Sequence, residues 1–199
     1  LLKLILNKKY NPLFSSDARY FIITGGRGSG KSYAVTVFLT LLTMTKGIRI
    51  LFTRFTMTSA HLSIIPEFLE KIGLLGFDEV FNINKAEVVN TSNQSDILFR
   101  GIRTSAGNQT ASLKSLQGIS TWVLDEAEEL VDENIFDTID LSIREKNIHN
   151  RVVLILNPVT KEHWIYKRFF EDKGVEGGFN GFKDNVCYIH TNYLDNKEN

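Results

Sequence analysis

Short apolar runs alternate with longer amphipathic stretches along this chain. Tyr20–Thr24, Ile48–Thr53, Thr121–Asp125 and Arg151–Leu156 are apolar runs of strand length, and residues 185–191 add a last one. Such runs predict buried strands. The stretches between them predict helices over 30–46, 58–72, 132–145 and 161–170. Gly47 is the expected stop of the first helix, and Asp132 the expected N-cap of the third. In the second, Ser59, Leu62, Ile65 and Leu69 fall on one face at spacings of three and four, with Pro66 as a candidate kink. Residues 80–100 predict short antiparallel strands with cores at 86–90 and 97–99. Residues 101–119, rich in Gly, Ser, Thr, Asn and Gln, read as a long loop, and Gly174–Gly181 as a mobile surface loop. Strand–helix alternation without an internal repeat predicts an α/β fold: a mostly parallel sheet flanked by helices on both faces.

One polar interruption carries specific chemistry. Gly25, Gly26, Arg27, Gly28, Ser29, Gly30, Lys31 and Ser32 fit the phosphate-loop pattern G-x-x-x-x-G-K-[ST]. A predicted strand precedes the pattern and a predicted helix follows it, as that reading requires. Glycines let successive backbone N–H groups curl around a phosphate, and the helix start adds its positive dipole end. Lys31 is the expected point charge for the β- and γ-phosphates, and the Ser32 hydroxyl a ligand for Mg2+. The cofactors expected are therefore ATP and Mg2+.

Asp125 and Glu126 close the third apolar run. Adjacent acids after a buried strand are costly unless something uses their charge. Two readings stand. The pair faces the phosphate site, with Asp125 on Mg2+ and Glu126 activating water; or it caps the short helical stretch 127–130. Water attack on ATP is favoured over a guanine switch, because Asn84–Glu87 and Asn196–Asn199 do not end in Asp and no Asp-x-x-Gly follows the strand. Asn157, at the end of the fourth run and before Pro158, is either a γ-phosphate sensor or an ordinary strand-to-turn pair.

Composition narrows the picture modestly. The 199 residues carry 23 Lys+Arg and 23 Asp+Glu, so no global basic field announces nucleic acid and any such contact must be local. Cys187 is alone, which excludes an internal disulfide; it reads as a small apolar strand residue in a reducing compartment. No apolar run approaches the ~20 residues that span a bilayer, so no membrane partner is expected. Residues 1–7 read as the end of an amphipathic helix, and both ends of the chain read as those of a fragment. The four histidines lack metal-ligand spacing.

The motifs together resemble the large terminase subunit of tailed bacteriophages, the motor that packages DNA into procapsids. Gly25–Ser32, Ser115–Ala127, Leu154–Pro158 and His190–Asp195 carry the resemblance. It implies a P-loop NTPase of the ASCE type (additional strand, catalytic Glu), here as a single ATPase domain: a flank at 1–19, a core at 20–170, and at 171–199 the end of the core and a linker to a nuclease domain outside this chain. It implies double-stranded DNA, the portal protein and the small terminase subunit as partners, self-association into a ring, and a place in the host cytoplasm, docked transiently on the procapsid. A helicase-like translocase with the same core is the alternative.

The resemblance also assigns roles. Glu126, Arg27, Lys31 and Asn157 are the catalytic candidates, with Arg27 stabilising transition-state charge. Asp125 stands where many relatives carry Glu. Arg100, Arg103 and Lys114 are candidates for a basic finger reaching a neighbouring subunit. Tyr10 or Phe14 is the candidate for stacking on adenine, and Arg144, Lys146, His149 and Arg151 form the densest basic stretch for DNA.

Overall fold

A computed structural model describes residues 6–56, 60–104, 107–108, 113 and 115–196. The five predicted apolar runs are all strands: β1 Tyr20–Gly25, β2 Arg49–Thr56, β7 Thr121–Asp125, β8 Arg151–Leu156 and β10 Val186–Thr191. The remaining strands are β3 Phe81–Ile83, β4 Glu87–Asn90, β5 Asp96–Thr104, β6 Gly107–Asn108 and β9 Gly181–Lys183. They form one ten-stranded sheet in the order β3-β4-β5-β2-β7-β8-β1-β10-β9, with β6 beside β5. The six central strands, β5 to β10 in that order, run parallel. Antiparallel pairs close both edges.

β8 lies between the strand that leads into the glycine loop and the strand that ends in the acidic pair. Its register pairs Leu156 with Thr24 on one side and Ile155 with Asp125 on the other. Gly25, Asp125 and Asn157 therefore all emerge at the carboxyl edge of the sheet, where open α/β sheets hold their ligands.

The helices are α1 Asn11–Ser15, α2 Lys31–Leu42, α3 Ala60–Leu75, α4 Glu133–Asp140 and α5 Trp164–Tyr166, the last continued by a π turn over Lys167–Glu171. One sheet face packs Ile23, Ile50, Phe52 and Val123 under α2 and α3. The other packs Leu51, Trp122 and Leu154 under α4 and α5. Both faces of the parallel strands are covered, which explains their unbroken apolar runs.

Several boundaries differ from the sequence expectation. α2 stops at Leu42 rather than 46 because the next carbonyls are taken by side chains. Asn90 and Asn93 donate to Thr43 O, Asn93 to Met44 O, and Ser95 to Thr45 O. α4 stops at Asp140 rather than 145, where Arg19 takes the carbonyls of Asp140 and Ile143. Its Asp132 N-cap is as expected, accepting from Asn134 N.

In α3 the buried face is Ile64, Ile65, Phe68 and Ile72, while Leu69 is 48% exposed; Ser59 lies outside the described residues. Residues 101–104, expected in a loop, extend β5, because parallel pairing with β2 continues as far as Thr56 opposite Arg103. The expected helix at 1–7 falls largely outside the described residues.

Candidate functional site

The carboxyl edge opens into a cleft of about 600 Å³. Gly26–Tyr33 wall one side; Arg54, Asp125, Glu126, Glu128 and Asn157 wall the other. The phosphate pattern and the acidic pair thus face one cavity. Ser32 and Arg27 are exposed at its surface, and Lys31 is half-buried.

The loop is built for close approach. A Cβ on Gly25 would stand 2.2 Å from Thr191 O, so only glycine fits between β1 and β10 there. Gly28 and Gly30 have φ of 72° and 82°, the left-handed region that glycine reaches without a Cβ penalty. Gly30 is the N-cap of α2 and has no side chain to cap it, so the first N–H groups of the helix are not satisfied from there. Such a terminus is a seat for an anion. Behind the loop, the buried Tyr10 hydroxyl donates to Ser29 O at 3.0 Å and lies 2.7 Å from Thr191 Oγ1. Burial pushes its pKa up to about 12, so it stays protonated. Ser29 Oγ bonds Gly26 O at 2.8 Å, and Lys31 Nζ donates to the carbonyls of Gly25 and Gly26 at 2.5 and 3.0 Å. Burial lowers the Lys31 pKa, opposed by Glu128 and Asp125.

The opposite wall carries a cation that sequence reading did not single out. The register of β2 on β7 pairs Thr53 with Leu124, which sets Arg54 beside Asp125. Arg54 Nη2 and Nε lie 2.6 and 2.7 Å from Asp125 Oδ2, and Nε lies 3.6 Å from Glu126 Oε2. Burial pushes the Asp125 carboxyl upward, and the guanidinium opposes this. Glu126 is raised for the same reason and also opposed by Arg54. Glu126 sits at φ 52°, a left-handed conformation unusual for a residue with a side chain. It turns the chain out of β7 into the 3-10 turn Ala127–Glu129, so the helix-cap reading of the pair describes the backbone while the carboxylates face the cleft. Asn157 Nδ2 donates to Glu128 Oε1 at 2.6 Å.

A family model described as phage terminase large subunit matches residues 17–197. The chain belongs to that family. Its fold is similar to the large terminase from a thermophilic bacteriophage, with a TM-score of 0.75 at 13% identity, covering 98% of this chain and 48% of that one. A mutant of the Thermus phage P74-26 large terminase ATPase domain aligns with a TM-score of 0.69 at 17% identity, covering 96% and 82%. The Phi-28 gp11 DNA packaging motor aligns at 0.61 with 15% identity, covering 94% and 60%. The chain spans about half the length of the full-length large terminases it matches. No curated protein matches the sequence.

Other residues singled out for a terminase role take different places. Phe14 packs edge-on against Phe38 at 5.4 Å and does not line the cleft. Tyr10 lines it but is 2% exposed, with its hydroxyl engaged behind the loop. Arg100 donates to Phe99 O and Ala86 O, Arg103 is exposed, and Lys114 lies outside the described residues.

Arg144 and Lys146 are exposed. His149 bonds Ala18 O and Arg151 Nη2, so those two serve the packing beneath the amino edge of β8. Cys187 is a buried core residue. Among the described residues no helix is long and apolar enough to cross a membrane.

Two residues at the cleft escaped sequence reading. Arg54 becomes visible only through strand register. Glu128 resembled a helix-capping acid.

Proposed function

We propose that this chain is the ATP-hydrolysing motor of a phage large terminase, driving double-stranded DNA into procapsids. The observation that supports this most directly is the meeting of the glycine loop, Lys31, Asp125 and Glu126 across one cleft. The strand order, with β8 between loop strand and acid strand, agrees with an ASCE core.

In this reading the N–H groups of Gly26–Ser32 close around the β- and γ-phosphates, and the Lys31 ammonium balances their charge. Glu126 takes a proton from water as the water oxygen bonds the γ-phosphorus. The bond from that phosphorus to the β-bridging oxygen breaks, and ADP leaves with the electron pair. Arg27, exposed at the rim, neutralises charge that develops on the γ-phosphoryl oxygens. Asn157 contacts the γ-phosphate or the attacking water.

The donor set fits a hard divalent ion: the Ser32 hydroxyl and the Asp125 carboxylate offer oxygen, and Mg2+ in such sites takes one or two protein ligands beside phosphate and water. When bound, Mg2+ supplies charge neutralisation at the β- and γ-oxygens. The D6-type crystal relative aside, one large terminase of the same fold was solved with ATP-gamma-S, which accords with a nucleotide in this cleft.

DNA is gripped through phosphates by few contacts per subunit, multiplied in a ring that docks on the portal protein of the procapsid in the host cytoplasm, with the small terminase subunit as a further partner. ATP hydrolysis measured with double-stranded DNA and procapsids tests the reading. Lys31→Ala should lose nucleotide binding. Glu126→Gln should keep binding and lose hydrolysis by ~100-fold or more. Arg27→Ala should lower turnover more than affinity. Wild-type hydrolysis in Lys31→Ala and Glu126→Gln would refute it.

A further inference from the structure

Glu128 follows the acidic pair by two residues and faces the same cleft. Its Oε1 accepts from Asn157 Nδ2 at 2.6 Å, a short charge-assisted hydrogen bond. Its Oε2 is buried and has no hydrogen-bond partner. A buried carboxylate oxygen without a partner is expensive, so its placement calls for an explanation. The backbone of Glu128 is itself anchored. Its carbonyl lies 3.2 Å from His163 Nε2, while His163 Nδ1 accepts from Ile165 N at the start of α5. With Nδ1 accepting, the ring proton is on Nε2 and is donated to Glu128 O. Nearby, Trp164 Nε1 donates to Leu130 O. The turn that carries Glu128 is thus pinned to α5 from two sides.

An exposed side-chain amide is free to rotate by half a turn and exchange its oxygen for its nitrogen. Asn157 is not free to do so. The reversed amide would set its Oδ1 against a carboxylate oxygen, with no proton between them. We propose that Glu128 is a positioning residue for ATP hydrolysis, fixing which edge of the Asn157 amide faces the phosphate site. With one N–H committed to Glu128, the remaining N–H and the amide oxygen take a single orientation toward the cleft. The inference rests on the reading of this cleft as an ATPase site. It adds a route from that site to α5, through Asn157, the Glu128 turn and His163.

Single-turnover ATP hydrolysis by the purified protein tests it, with melting temperature and affinity for a fluorescent ATP analogue measured on every variant. Glu128→Ala should slow the chemical step by about tenfold while analogue affinity changes by less than about threefold. Glu128→Gln still offers an oxygen to the amide and should recover to within about threefold of wild type. In an Asn157→Ala background, Glu128→Ala should cost less than about twofold more, because the two act as a unit. Should Glu128→Ala fail to fold, Asn157→Asp provides the second route. It sets two carboxylates face to face, and adding Glu128→Gln should restore a donor and raise the rate above that of Asn157→Asp alone. An unchanged rate in Glu128→Ala, additive losses in the double variant, a Gln variant no better than Ala, or no rescue of Asn157→Asp would each overturn the proposal. Wild-type hydrolysis in Lys31→Ala would instead overturn the ATPase reading beneath it.

Discussion

Arg54 Nη2 lies 2.6 Å from Asp125 Oδ2, and the same guanidinium reaches Glu126 Oε2 at 3.6 Å through Nε. One cation therefore serves both acids. Burial raises both carboxyl pKa values and Arg54 opposes the rise, so removing Arg54 should raise them further. The acid limb of the pH–rate profile should move to higher pH in Arg54→Ala and vanish in Glu126→Gln. A limb that stays in place in Arg54→Ala would separate Arg54 from the catalytic acid.

The same pair gives a stability prediction. A carboxyl whose folded pKa lies above its unfolded value stabilises the fold below the unfolded pKa, and that contribution is lost as pH rises through the folded pKa. Arg54→Ala leaves the buried Asp125 uncompensated only where it is ionised. The melting-temperature gap between Arg54→Ala and wild type should therefore be wide at neutral pH and narrow on acidification through the raised Asp125 pKa. Thermal melts across that range check the sign.

Gly25 and Gly26 should behave differently. A Cβ on Gly25 meets Thr191 O at 2.2 Å and Ser29 Oγ at 2.9 Å, whereas nothing lies within 4 Å of a Cβ on Gly26. Gly25→Ala should destabilise by about 1–3 kcal/mol or more through overpacking. Gly26→Ala should leave the melting temperature unchanged and weaken ATP binding alone, because its methyl group would point into space that a phosphate needs. Melting curves beside nucleotide titrations distinguish the two.

Phe136 anchors the core beneath α4. Its ring lies 4.7 Å from Trp164, 5.1 Å from Trp122 and 6.1 Å from Phe169, and it is fully buried. Phe136→Ala should cost ~3–5 kcal/mol of stability, read by denaturant unfolding. Its buried partners leave little freedom to collapse into the cavity.

Tyr10 ties the chain start to the back of the phosphate loop. Tyr10→Phe keeps the ring and removes the bonds to Ser29 O and Thr191 Oγ1. It should destabilise by ~1–2 kcal/mol, measured in the same way.

The strands were legible because each of the five central runs is buried on both faces and needs apolar residues throughout. The glycine loop was legible because close approach and left-handed φ demand glycine at fixed positions. Helix ends were less so. α2 and α4 are cut short by Asn90, Asn93, Ser95 and Arg19, residues distant in sequence that take the carbonyls where each helix would have continued. Arg54 carries no local signal at all. It enters the site because β2 and β7 are neighbours in a particular register, and one residue of slip would point it to the other sheet face. Glu128 had a local signal that pointed elsewhere, since an acid in a first helical turn has an ordinary explanation.

Both ends of the described chain are stitched to the phosphate loop. Asn196 Nδ2 donates to Gly28 O at 3.1 Å, Asn7 Nδ2 to Asp195 O at 2.5 Å, and Lys9 pairs with Asp195 at 2.8 Å. A tug on the backbone at residue 196 is therefore felt at Gly28 through a single bond, without deforming the sheet. Mechanical load arriving from that direction would loosen or tighten the grip on a triphosphate before any strand had moved.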